Sequence, residues 1–117
     1  IAAYVGREND LPFDQHALKA AIAPRAYVSL EALGDLWANP SGTLQTHWAA
    51  RELYRYLGAE ERMGIVFRDG EHDHGLADWR SFLDFCDLQL LGKAPARRFD
   101  ANPFPGMAPA FSWRSPA

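Results

Sequence analysis

Cysteine is nearly absent. Cys86 is the only one, so the 117 residues hold no internal disulfide and no thiolate zinc site. Basic blocks are missing too. The 12 Lys and Arg are scattered and outnumbered by 15 Asp and Glu, giving a net charge of −3 and a pI near 5.7. Nothing is there to neutralise a row of phosphates, and a nucleic-acid partner is not expected. No apolar run approaches the length of a membrane span, so no membrane partner is expected, and the first residues lack the basic and apolar regions of a signal peptide. The chain opens on Ile1, as a processed product or a piece of a longer protein would. Also missing is the strand–G-x-S-x-G–helix turn that presents a nucleophilic serine, since nothing between Ile1 and Gly34 matches it. Ser29 sits in a strand-like run without flanking glycines, and Cys86 falls on the apolar face of a helix, where it reads as core. Neither is a nucleophile.

What is present is enough for one domain with a modest core. Residues 1–13 read as an irregular lead-in. Asp14 then stands where an N-cap belongs, before "QHALKAAIA", whose Ala17, Leu18, Ala21 and Ile22 recur at helical spacing until Pro24 stops them. "RAYVSLEAL" suits a short strand buried on both faces, with Tyr27, Val28 and Leu30 as its β-formers. From Glu31 to Ser41 the composition turns loop-like. Ser41 or Thr43 is placed to cap "TLQTHWAARELYRYL", an amphipathic helix with Leu44, Trp48, Ala49, Leu53, Tyr56 and Leu57 along one side and Gly58 at its end.

"MGIVFR" is the second strand, and "LADWRSFLDFCDLQLL" the last helix, with Trp79, Phe82, Leu83, Cys86 and Leu90 on one face and Gly92 closing it. Residues 93–117 form a Pro-rich tail carrying five of the eight prolines, expected to wrap without regular elements. His16 and His47 read as ordinary packing or surface positions, and Trp79 as core. Two strands joined by a crossover helix, each followed by a polar loop and another helix, is the grammar of an open parallel α/β sheet.

In such sheets, reactive groups collect beyond the carboxyl ends of the strands. The first loop there offers Asp35. The second is "RDGEHDHG", with His72 and His74. Three readings compete for that cluster: a metal clamp with nearby carboxylates, a catalytic base, or a solvated turn. H-x-H without a third histidine at useful spacing is weak evidence for a metal, and none is expected. If the two strands are adjacent, Asp35 reaches a histidine of the second loop and forms an acid–base pair in the chain order of α/β hydrolases, where nucleophile precedes acid and acid precedes histidine. Trp37, two residues past Asp35, is either a loop anchor or a plane on which a sugar ring stacks.

"LPFDQHALKAAIAPRAYVSLEALGDLWANPSGT", "AARELYRYLG", "GEHDHGLADWRSFLDF" and "PAFSWRSP" together resemble the C-terminal third of bacterial glucuronoyl esterases, carbohydrate esterase family 15, over nearly the whole chain. The resemblance implies that residues 1–117 are the C-terminal part of a single α/β-hydrolase parallel sheet with flanking helices, the nucleophile-bearing part lying elsewhere. It implies a serine esterase that cleaves 4-O-methyl-glucuronic acid esters of glucuronoxylan, including those to lignin alcohols, without a cofactor. The same resemblance makes His72 the catalytic base, with His74 its neighbour, Asp35 the acid after the seventh strand, and Trp37 a wall of the glucuronate pocket. Some members carry their working acid, a glutamate, on an earlier strand, so Asp35 is either primary or auxiliary. Secretion or a periplasmic site is also implied. The remaining readings are another α/β hydrolase, a carboxylesterase or peptidase with an apolar pocket, or a truncated carbohydrate-binding remnant. A strand pair cut from a larger sheet is expected to leave an open edge and uncovered helix faces, and so to be inactive and prone to aggregate on its own.

Overall fold

The computed structural model describes residues 2–116. Five elements make the fold: α1 (Gln15–Ala20), β1 (Tyr27–Ala32), α2 (Pro40–Tyr56), β2 (Met63–Arg68) and α3 (Leu76–Leu91). β1 and β2 are parallel neighbours in register from Tyr27 opposite Met63 to Ala32 opposite Arg68, and α2 is the crossover between them. This is the α/β arrangement expected from the sequence.

The local causes are those of the sequence, with shifted boundaries. Asp14 does cap α1, its carboxylate accepting from the Gln15 N–H at 2.6 Å, but the helix ends at Ala20 and residues 21–25 turn before β1. β1 runs on to Ala32, so Glu31 belongs to the strand and not to the loop. α2 starts at Pro40, a residue suited to a first helical turn, and its cap is Asn39, not Ser41 or Thr43. The Asn39 carboxamide oxygen accepts from the Gly42 N–H at 3.0 Å. Gly58 follows α2 at φ +66° and Gly92 ends α3 at φ +63°, the left-handed closures that favour glycine. The lead-in carries two short 3-10 turns, Ala2–Tyr4 and Glu8–Asp10.

α2 covers the sheet through Ala50 and Tyr54, which pack with Ala59 and Met63 and draw in Ala20, Ala23 and Tyr27. Tyr54 is fully buried, and its hydroxyl donates to the Arg25 carbonyl at 2.8 Å, so its one polar atom is satisfied. Gly64 is what lets α3 approach. A Cβ there would stand 2.9 Å from the Phe85 ring, which meets Phe99 edge-on at 5.1 Å between centroids. The tail does form one regular contact. The Ile65 N–H donates to the Phe99 carbonyl at 2.8 Å, and Ile65 and Asp100 make a parallel bridge on the outer edge of β2. Farther on, Gln45 grips the tail with both ends of its amide, donating to the Ala108 carbonyl and accepting from the Ala110 N–H, each at 2.8 Å.

The apolar helix faces fall differently from the sequence pattern. On α2, Leu44, His47, Ala50 and Tyr54 face inward, whereas Leu53, Tyr56 and Leu57 are exposed. On α3, Asp78, Ser81 and Phe85 are buried while Trp79, Phe82, Leu83 and Leu90 face solvent. Trp79 is therefore not core. The reason is that two strands offer too little sheet to cover a stripe as broad as the one α3 carries. Among the described residues no strand pairs with the outer edge of β1. Uncovered faces and an open edge are both as expected from the sequence.

His47 is buried at 1% exposure, and its Nδ1 has no partner among the described residues. Burial disfavours the imidazolium, Arg51 and Lys19 push the same way, and Asp100 only partly opposes them, so the pKa falls to about 3. The native state therefore binds one proton fewer than the unfolded chain between about pH 6.5 and about 3, and stability drains as pH falls through that window, by ~1.4 kcal/mol per unit at most. Thermal unfolding followed from pH 7 to 4 is expected to show a shallower loss of midpoint in His47→Leu than in the parent chain. Parallel slopes would show that His47 is not the group responsible.

Candidate active site

Because Ala32 and Arg68 stand level in the ladder, the chain leaves both strands at the same height and the two loops run side by side. Two backbone bonds tie them together. The Leu33 N–H donates to the Arg68 carbonyl and the Gly34 N–H to the Gly70 carbonyl, both at 2.8 Å. The second contact requires glycine at position 34, since a Cβ there would lie 2.5 Å from the Gly70 oxygen.

This pairing brings Asp35 and His72 together, with Asp35 Oδ2 at 2.6 Å from His72 Nδ1. The Asp35 side chain is 11% exposed and the His72 side chain 79% exposed. The hydrogen bond to His72 holds the Asp35 carboxyl below its usual range against the opposing effect of burial. The Ala38 N–H, which donates to Oδ1 at 3.2 Å, and the Arg68 charge act in the same direction. An ionised carboxylate can only accept, so the hydrogen sits on His72 Nδ1. On a neutral ring Nε2 is then the basic nitrogen, and it makes no hydrogen bond to any described residue. The geometry is that of a base aimed outward and oriented from behind.

It is His72, and not His74, that bonds Asp35. The His74 ring meets Trp79 edge-on at 4.8 Å and lies on the α3 side of the loop. Trp37 stands on the Asp35 loop at 93% exposure beside Leu36 at 81%, so that loop offers two large apolar side chains to solvent. Glu31, at the end of β1, is half-buried. Burial raises its carboxyl pKa and the nearby Asp35 charge adds to this, while Lys19 and Thr43 work against it. Cys86 is partly buried within α3. Among the described residues no three His, Cys, Asp or Glu side chains gather as a metal site would require.

Sequence reasoning overlooked Arg68 and Asp78. Arg68 ends β2, and its Nε donates to both oxygens of Asp78, at 2.9 and 2.8 Å. Asp78 in turn accepts from the Gly75 N–H at 2.9 Å, closing the first turn of α3. The signal was in the sequence, in that an acid three residues after Gly75 and before an apolar run marks a helix start.

The comparisons with known proteins agree with one another. The family model "Glucuronyl esterase, fungi" matches residues 1–58. A carbohydrate esterase from an unknown prokaryotic organism is 32% identical over 106 residues, covering 78% of this chain and 24% of that protein. The 4-O-methyl-glucuronoyl methylesterase of Schizophyllum commune is 33% identical over 95 residues, covering 77% and 23%. Among solved structures, a carbohydrate esterase family 15 glucuronoyl esterase from Caldicellulosiruptor kristjansonii superposes with a TM-score of 0.86 at 39% identity, over 95% of this chain and 30% of that one. The glucuronoyl esterase catalytic domain from Hypocrea jecorina gives 0.66 at 29% identity, over 80% and 26%. The chain thus spans between about a quarter and a third of the length of these relatives.

Replacing Gly34 by alanine is expected to force the loops apart and cost roughly 1–3 kcal/mol, as overpacking does. Hydrogen exchange at Gly70 and Glu71 is then expected to accelerate relative to β1 and β2. Unchanged exchange in Gly34→Ala would show that the loops do not depend on this contact.

Proposed function

Since the chain belongs to the glucuronoyl esterases of carbohydrate esterase family 15, we propose that it supplies the acid and the histidine of a serine carboxylic-ester hydrolase. It would form the C-terminal part of a single α/β-hydrolase domain, residues 1–117, with residues 93–117 as its Pro-rich tail. The observation that carries this reading is the 2.6 Å contact between His72 Nδ1 and Asp35 Oδ2, with Nε2 left free. The substrate is a 4-O-methyl-glucuronoyl ester of glucuronoxylan, by analogy with the names of the relatives. Export to the periplasm or medium fits an insoluble substrate of that kind.

The sequence contains no G-x-S-x-G, so the nucleophile is a serine outside these residues. His72 Nε2 takes the serine proton as the oxygen attacks the ester carbonyl. The imidazolium that forms is stabilised by the Asp35 carboxylate, which is already ionised and already aligned. His72 returns the proton to the leaving alcohol. Water then repeats the sequence on the acyl-enzyme and frees the uronate. Trp37 lines the glucuronate pocket, where its exposed ring gives a sugar face a plane to rest on.

The pure 117-residue chain is expected to be inert on the benzyl ester of glucuronate, and turnover by it would overturn this reading. The same residues joined in frame to the coding sequence upstream are expected to prefer that ester to p-nitrophenyl acetate. In that protein Asp35→Ala lowers kcat by roughly 10²–10⁴. Trp37→Ala mainly raises KM. A kcat indifferent to Asp35 would remove the aspartate from the mechanism.

A further inference from the structure

The loop from Asp69 to Gly75 contains no regular structure, yet it must hold an imidazole to within a fraction of an ångström. Its backbone bonds are few. Within it, the Asp73 N–H donates to the Glu71 carbonyl at 2.8 Å, and the Gly70 carbonyl is tied to Gly34. What fills the loop is the guanidinium of Arg68. Nη1 donates to the Asp69 carbonyl at 3.0 Å, and Nη2 to the Glu71 carbonyl at 3.4 Å and the Asp73 carbonyl at 2.7 Å, with a further ion pair to the Asp73 carboxylate. Nε is held by Asp78. The loop is wrapped around one side chain, and His72 lies between two of the carbonyls it grips.

The surrounding residues are shaped to this. A Cβ on Gly70 would lie 2.7 Å from Nη1, and its φ of +109° favours glycine, so "RDG" leaves room for the fork where another residue would meet it. Asp78 is 6% exposed at its side chain and Arg68 19%. Burial raises the Asp78 carboxyl, but Arg68 and the Gly75 N–H outweigh it and keep it ionised. The exposed pair Arg98–Asp100, at 79% and 43%, organises no loop. Lysine cannot replace Arg68, because a single ammonium has neither the planar fork nor the span to reach Asp78 and three loop carbonyls together.

We propose that Arg68 is the positioning residue for His72: its fork, anchored on Asp78, sets the height and direction of the histidine loop so that Nδ1 meets Asp35. This rests on the reading of His72 as the base. Arg68 touches neither substrate nor reacting atoms in that reading and acts only through the loop. Its consequence is that the strand, the start of α3 and the histidine are fixed by one side chain, so that loop and helix are positioned together.

The test uses these 117 residues joined in frame to the coding sequence upstream, and two signals that need no catalysis: amide exchange across residues 69–75 by mass spectrometry, and the downfield Nδ1 proton resonance of His72. Arg68→Lys is expected to speed exchange in the loop by at least about tenfold, while β1 and β2 stay protected, and to erase the resonance. Asp35→Ala removes the acceptor, so it is expected to erase the resonance and leave loop exchange as it was. Arg98→Lys is expected to change neither.

Loop exchange and a resonance that both survive Arg68→Lys would overturn the proposal. So would a change that appears only together with faster exchange throughout the strands, because that reports lost folding and not lost positioning. The failure of the esterase assay leaves these two signals untouched, which separates the fate of this proposal from that of the reading beneath it.

Discussion

The parallel register of β1 on β2 is the constraint from which the site follows. Ala32 opposite Arg68 sets both strand ends level, and only then do Gly34 and Gly70 touch, Asp35 reach His72, and Arg68 sit beneath the loop it fills. A slip of one residue would turn every side chain of one strand to the other face. It would move the Asp35 loop about 3.3 Å along the strand direction, more than the whole hydrogen bond. α2 enforces the register from one side, through Tyr54 reaching the Arg25 carbonyl just before β1 and packing on Met63 at the start of β2.

The two strands, the crossover helix and the two loops were legible because each rests on local chemistry: β-branched and aromatic runs, a helical spacing of apolar residues from Thr43 to Leu57, and glycines where the chain must turn. That Asp35 would meet a histidine of the second loop was legible from topology, since parallel neighbours send their following loops the same way, while the choice of His72 over His74 came from the family resemblance. Three things were not. Which face of α3 turns inward depends on how much sheet exists to receive it, and two strands receive only Asp78, Ser81 and Phe85. The burial of His47 was hidden because a histidine on an amphipathic helix looks alike whether it packs or not. Arg68 was hidden because its partners are mostly backbone carbonyls, which leave no mark in a sequence.

The site is built unevenly, and the unevenness has a direction. Behind the histidine everything is tied: Asp35 to the Ala38 N–H, Arg68 to Asp78, Asp78 to Gly75. In front of it, Nε2, Trp37 and Leu36 face outward with nothing against them among the described residues. Such an arrangement orders Asp35 and His72 before anything else arrives, and spends little conformational entropy when it does. The exposed apolar face of α3 and the bare edge of β1 are the packing counterpart of that open front, and relatives three to four times as long have the chain to cover both.

The two edges of the small sheet are unequal. Phe99 and Asp100 lie across the middle of the β2 edge, while among the described residues no strand lies beside the outer edge of β1. A sheet open on both sides can add strands without limit and so seed fibres. One held at the middle of a single edge offers a second copy two unequal faces, and strand pairing is expected to begin on β1, where no tail has to be displaced. Through that one contact, the tail biases strand-mediated self-association toward one edge of the sheet.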